Sequence, residues 1–94
     1  MRISFTDEID GGRILYPIGR VRAASAWRAA GAGQQEATLK DAALRALIET
    51  AAEFEADAIV GVDFEVDGAA SLDLASIDLQ RVAATGIAVK LARG

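Results

Sequence analysis

The sequence predicts an α+β domain: one helix packed on a mostly antiparallel sheet, with elements in the order strand, helix, strand, strand. Three stretches carry that prediction. Apolar and polar residues alternate from Ala58 to Val66, the two-residue period of a half-buried strand. Before it, Leu44, Leu47, Ile48, Ala51 and Phe54 fall at the three- and four-residue spacing of a helical stripe. After it, Val82 to Leu91 is apolar on both faces, which calls for cover on both sides of the sheet.

The chain has 94 residues, 52% of them hydrophobic, which is enough for one core and no more, so residues 1–94 are expected to form a single domain. So small a unit buries only roughly two-thirds of its unfolded surface and needs a supplement. Cysteine and histidine are both absent, which excludes disulfides and thiolate or imidazole zinc sites. Association with other copies is the remaining supplement.

From the N-terminus, residues 1–12 read as an arm or short strand, closed by the turn signal Gly11-Gly12. Asp7, Glu8 and Asp10 interrupt any signal-like apolar run, and no segment approaches the ~20 apolar residues of a membrane span, so a soluble cytoplasmic protein is expected. Arg13 to Ala23 is a strand in which Ile14, Tyr16 and Ile18 share a face at a spacing of two. Pro17 cannot donate to a ladder, which puts this strand at an edge or gives it a bulge. Residues 24–35, rich in Ala, Gly and Gln around Trp27, read as a loop. Trp27 suits a subunit interface or the core better than a ligand-stacking platform.

The helix is expected from about Glu36 to Glu55, with Thr38-Leu-Lys-Asp41 as a capping-box-like start. Asp41, Arg45, Glu49 and Glu53 line its solvent face. On the following strand Ala58, Val60, Val62, Phe64 and Val66 occupy one face by alternation, and the other turns from Ile59 and Gly61 to the acids Asp63, Glu65 and Asp67. Gly68 to Ser71 signals a hairpin turn. The last strand begins between Ile77 and Val82, and its second apolar face is expected to be covered by a neighbouring subunit. Gly61 and Gly86, inside strands, mark close packing against bare backbone.

The net charge of -4 disfavours nucleic acid as a partner, yet Arg13, Arg20, Arg22 and Arg28 lie together with no acid between Arg13 and Gln35. With Trp27, the residues Arg20, Arg22 and Arg28 form either an anion or interface patch, or the cationic partners of Asp63, Glu65 and Asp67 within or between subunits. The carboxylate row, with Asp73 and Asp78 across the hairpin, is the candidate ligand set for a hard cation. Acids on a strand's solvent face otherwise keep it soluble and discourage edge pairing. Ser4, Ser25, Ser71 and Ser76 have no histidine to activate them. The Gly-x-Gly at Gly31 to Gly33 does not follow a strand as a dinucleotide fingerprint does. No cofactor is implied.

Arg13 to Val21, Ala42-Ala-Leu-Arg-Ala-Leu47, Ala56-Asp-Ala-Ile-Val-Gly-Val-Asp63 and Ala84-Thr-Gly-Ile-Ala-Val89 together resemble the bacterial YbjQ-like family over residues 13–91. That resemblance implies a heavy-metal-binding label and a ring-shaped homo-oligomer of five subunits. The label sits badly with the composition, since soft metals prefer thiolate, thioether and imidazole, and the chain has one Met. The family's helix-ending glycine is Glu55 here, and Ala30-Gly-Ala-Gly33 replaces its Gly-Gly before the helix. The expectation is a non-enzymatic homo-oligomeric domain that takes a small ligand or ion in its ring or between subunits. A carboxylate-based metal-ion-binding protein is the alternative, and an enzyme with a site assembled between subunits the third.

Overall fold

The computed structural model describes residues 1–29, 35–69 and 79–92. The elements are β1 (Arg2–Ile3), β2 (Ile14–Ala24), β3 (Arg28–Ala29), α1 (Gln35–Glu53), β4 (Ala58–Ala69) and β5 (Leu79–Leu91). The sheet runs β1-β4-β5-β2, with β3 beside the far end of β5. Only β1 with β4 is parallel; β2, β3 and β4 all pair antiparallel with β5. Residues 30–34 of the expected loop and residues 70–78, with Asp73, Asp78 and Ile77, lie outside the described residues. β4 continues in register through Gly68 and Ala69, where a turn was expected to begin.

The helix lies mainly across β2 and β5. Its buried stripe is Leu39, Ala43, Leu47 and Ala51, with Leu44 and Ile48 half-buried beside it. Asp41, Arg45, Glu49 and Glu53 face solvent as expected. Phe54 does not belong to the stripe: the helix ends at Glu53 and the ring is 56% exposed. Glu55 takes the left-handed conformation (φ 59°) that glycine holds in most helix ends. Its N–H donates to Ala52 O (3.0 Å), and that of Ala56 to Ala51 O (3.2 Å), the two bonds of a Schellman cap. The glycine is therefore replaced by a strained residue in the same motif.

Strand β4 does not keep one apolar face. A register shift falls between Val60 and Asp63, where Gly61 adopts φ 61°, so the alternation changes phase. Ala58 and Val60 face away from the helix, whereas Ile59, Val62 and Phe64 face it. In the same way, register shifts on either side of Pro17 separate Ile14 from Ile18, which pack on opposite faces of the sheet rather than sharing one. Gly86 shows the close approach expected of a strand glycine: a Cβ there would lie 2.6 Å from Ile59 Cγ2.

The second face of the sheet is covered, at the end where β4 begins, by the chain itself. Ile9 packs over Ala58, Val60 and Val89, flanked by Ile14 and Leu91. The N-terminal segment is thus no loose arm, and the neighbouring subunit expected to cover this face is not needed there. Its backbone extends the β1 edge through Val62 N–H to Ser4 O (3.1 Å) and Gly61 N–H to Thr6 O (2.7 Å). Hydroxyls fix its turn: Ser4 Oγ donates to Glu8 O (2.6 Å), and Thr6 Oγ1 accepts from Glu8 N–H (3.3 Å). The guanidinium of Arg2 donates to Asp10 O.

The β4–β5 pair is longer than the helix that packs on it. Nineteen helical residues span about 28 Å, while thirteen strand residues span about 43 Å. The Cα radius of gyration is accordingly 15.6 Å, against about 12 Å for a compact domain of this length. On β4, Val66 is 48% exposed, although Val82 opposite it is fully buried.

Candidate functional site

Residues directly opposite one another in an antiparallel ladder share a face. Arg20 lies opposite Ile87 and Arg22 opposite Thr85, while Asp63, Glu65 and Asp67 lie opposite Thr85, Ala83 and Arg81. All of them are on the face turned away from the helix, beyond the patch that Ile9 covers. The bulge at Gly61 puts the acids there on the same side as Val60. This face therefore carries arginines along β2, small or short side chains along the middle of β5, and carboxylates along β4.

Asp67 is the point where the two rows meet. Its Oδ2 accepts from Arg81 Nε at 3.1 Å and lies 3.6 Å from Arg22 Nη2. Arg81 also stacks over the Trp27 ring, 4.6 Å from its centroid. Trp27 is held there by the break between β2 and β3, where buried Ser25 bonds Val82 in both directions: Ser25 N–H donates to Val82 O (2.8 Å) and Val82 N–H to Ser25 Oγ (3.0 Å). Trp27 remains 40% exposed. The packing energy of such an exposed cation–π and ion-pair group is modest, about 1 kcal/mol.

Nearer the N-terminal cover, Arg20, Asp63 and Thr85 line a cleft of about 240 Å³ together with Asp7, Gly61 and Ile87. Asp63 Oδ1 accepts the Phe64 N–H (2.9 Å), which leaves its second oxygen for a ligand. Among the described residues, Arg20, Arg28, Asp63 and Glu65 make no ion pair. Arg28 lies apart, on β3 beside Gln80. A larger depression of about 470 Å³ lies against the N-terminal turn, but the polar groups of Ser4, Thr6 and Arg2 there are spent on the turn itself.

The carboxylate row is a line rather than a cluster. Two-residue steps on a strand separate neighbouring acids by about 6.6 Å, and no group of three acids that could hold a metal ion occurs among the described residues. The chain thus presents guanidinium and carboxylate groups in rows of fixed spacing on one face, which suits the recognition of charge. Ser4 and Ser25 are committed to backbone hydrogen bonds. Sequence reasoning missed Arg81, Thr85 and Asp7. Arg81 was recoverable from the register of the β4–β5 hairpin, whereas Asp7 reaches the cleft only through the folded turn.

A family model described as "Putative heavy-metal-binding" matches residues 28–92. No curated protein matches the chain. Among solved structures, a crystal structure of a protein of unknown function of the DUF74 family from Pediococcus pentosaceus is similar over 98% of both chains, with a TM-score of 0.65 and 15% identity. At that identity the likeness is one of fold. No helix among the described residues is long and apolar enough to cross a membrane.

Proposed function

We propose that this chain, which belongs to the YbjQ-like family, is a non-enzymatic cytoplasmic domain that assembles with further copies of itself and binds a small charged ligand or ion on its arginine- and carboxylate-lined face. The observation that carries this reading is the open part of that face. Arg20 and Asp63 flank one cleft with Thr85 between them, and neither is neutralised by an ion pair among the described residues. Charged groups left exposed beside a small cleft recognise complementary charge, and Arg in particular holds carboxylate or phosphate oxygens through paired N–H donors. Self-assembly is supported by apolar side chains that stay exposed on the sheet, Val66 on β4 and Ile87 on β5.

A carboxylate-based metal site is the second reading, favoured by Asp63 and Glu65 being without cationic partners. Among the described residues no three acids converge, so such a site takes ligands beyond Asp63 and Glu65, from another copy of the chain or from residues outside the described set. Calorimetric titration separates the two. Small carboxylates and inorganic phosphate should give a binding isotherm that Arg20→Ala abolishes and Asp63→Asn changes little. A stoichiometric isotherm with divalent ions alone, lost in Asp63→Asn, would replace the first reading with the second.

A further inference from the structure

The cleft of about 240 Å³ beside the N-terminal turn carries charges of opposite sign on its two sides. Arg20 enters it from β2, opposite Ile87, and Asp63 from β4, opposite Thr85, with β5 running between them. Two strand spacings hold these backbones about 9.6 Å apart, and the two-residue step between Ile87 and Thr85 offsets them by about 6.6 Å along the strands. The two side chains make no ion pair with each other. Arg22, the next arginine along β2, is drawn to Asp67 at 3.6 Å, so Arg20 is the cation that remains to this cleft.

A second carboxylate reaches the β4 side from a distant part of the chain. Gly61 N–H donates to Thr6 O (2.7 Å), and this bond sets the N-terminal turn against the bulge of β4. Asp7 Oδ1 then lies 3.6 Å from where a Cβ of Gly61 would stand. Asp7 makes no hydrogen bond or ion pair among the described residues, and Asp63 spends one oxygen on the Phe64 N–H. The fold thus brings two carboxylates into one cleft without a cation beside them. Like charges placed together repel, and a positive group seated near both relieves that repulsion.

We infer that this cleft recognises a zwitterion of the amino-carboxylate class, with its ammonium and carboxylate at opposite ends of a short chain. The inference rests on the ligand-binding reading proposed above and names the class of ligand. Arg20 takes the carboxylate through paired N–H donors, and Asp7 and Asp63 take the ammonium. Between them Ile87, 36% exposed, gives the methylene chain an apolar wall, and the Thr85 hydroxyl, without a hydrogen bond among the described residues, lies midway. A simple cation leaves Arg20 without a partner, and a simple anion leaves the two carboxylates without one. A ligand that carries both charges satisfies every ionic group in the cleft.

Calorimetric titration with 4-aminobutyrate, butyrate and butylamine tests it, since the three share one chain length and carry both charges, the negative one or the positive one. The wild type should bind 4-aminobutyrate roughly tenfold more tightly than either of the others. Arg20→Ala should abolish binding of 4-aminobutyrate and butyrate alike. Asp7→Asn and Asp63→Asn should each bring 4-aminobutyrate down to the level of butyrate while leaving butyrate unchanged. Both substitutions preserve side-chain shape, and the one at Asp63 keeps an acceptor for the Phe64 N–H, so the fold, checked by circular dichroism, should persist. Butyrate binding as tightly as 4-aminobutyrate would overturn the zwitterion site while leaving the small-ligand reading in place. So would 4-aminobutyrate binding that neither carboxylate substitution weakens, or binding of inorganic phosphate with none of the three. A wild type that binds neither phosphate nor any of the three would remove both readings.

Discussion

Gly86→Ala is the substitution for which the packing gives the sharpest expectation. A Cβ at this position would lie 2.6 Å from Ile59 Cγ2, 3.2 Å from the carbonyl oxygen of Val60 and 3.3 Å from Val62 Cγ2. Carbon atoms pack best at about 3.5 to 4.0 Å, so the first contact falls short by about 1 Å. Ile59 is wholly buried and cannot swing aside, and the Val60 oxygen belongs to the strand backbone. Overpacking of this kind costs about 1 to 3 kcal/mol. Alanine recovers about 0.4 to 1 kcal/mol by restricting the unfolded chain, which leaves a net loss centred on about 1.3 kcal/mol and reaching about 2.6 kcal/mol. Gly68→Ala is the control, since nothing lies within 4 Å of its Cβ position and its φ is not in the left-handed region. That variant should match the wild type or exceed it by up to about 1 kcal/mol. Urea denaturation at one fixed protein concentration reads both as midpoint shifts with an unchanged slope. Gly86→Ala at or above wild-type stability would refute the packing of β4 and β5 around the bulge.

Other substitutions separate the elements of the account. Leu47→Ala, wholly buried under the helix, should cost about 2 to 5 kcal/mol, whereas Phe54→Ala should cost less than about 1 kcal/mol, both by the same denaturation assay. Glu55→Gly should raise stability by about 0.5 to 1 kcal/mol, because a left-handed φ of 59° is strained for any residue with a side chain, and a destabilised variant would show that Glu55 makes a contact the cap does not explain. Arg81→Ala should cost about 1 kcal/mol and shift the emission of Trp27, the only tryptophan, to the red, since the ring loses the cation stacked on it.

Much of the fold is legible in the sequence where side-chain size and period agree. Asp41, Arg45, Glu49 and Glu53 repeat every four residues and do face solvent, and the apolar faces of β5 do pack on both sides where the helix and the N-terminal turn reach. Reading fails where the backbone changes phase. Counting even and odd positions through Gly61 assumes a straight strand, yet a left-handed glycine inserts a residue and sends Val60 and Val62 to opposite faces. Bulk also misleads on the helix, because Ala43 and Ala51 are buried by the close approach they permit while Phe54, past the last turn, is not. The cover provided by Ile9 rests on hydroxyl-to-backbone bonds from Ser4 and Thr6, which have no period to detect. The charged face is legible as two separate runs, arginines before the helix and acids after it. Their placement on one surface, and the part of Arg81 in joining them, depends on strand register.

The central claim is that the chain associates through a sheet whose cover is incomplete in one copy. Multi-angle light scattering of the wild type in dilute micromolar solution tests it most directly. A stable species several times the 9.8 kDa of one chain is expected, near 49 kDa for a five-subunit ring. A single species of 9.8 kDa would contradict it.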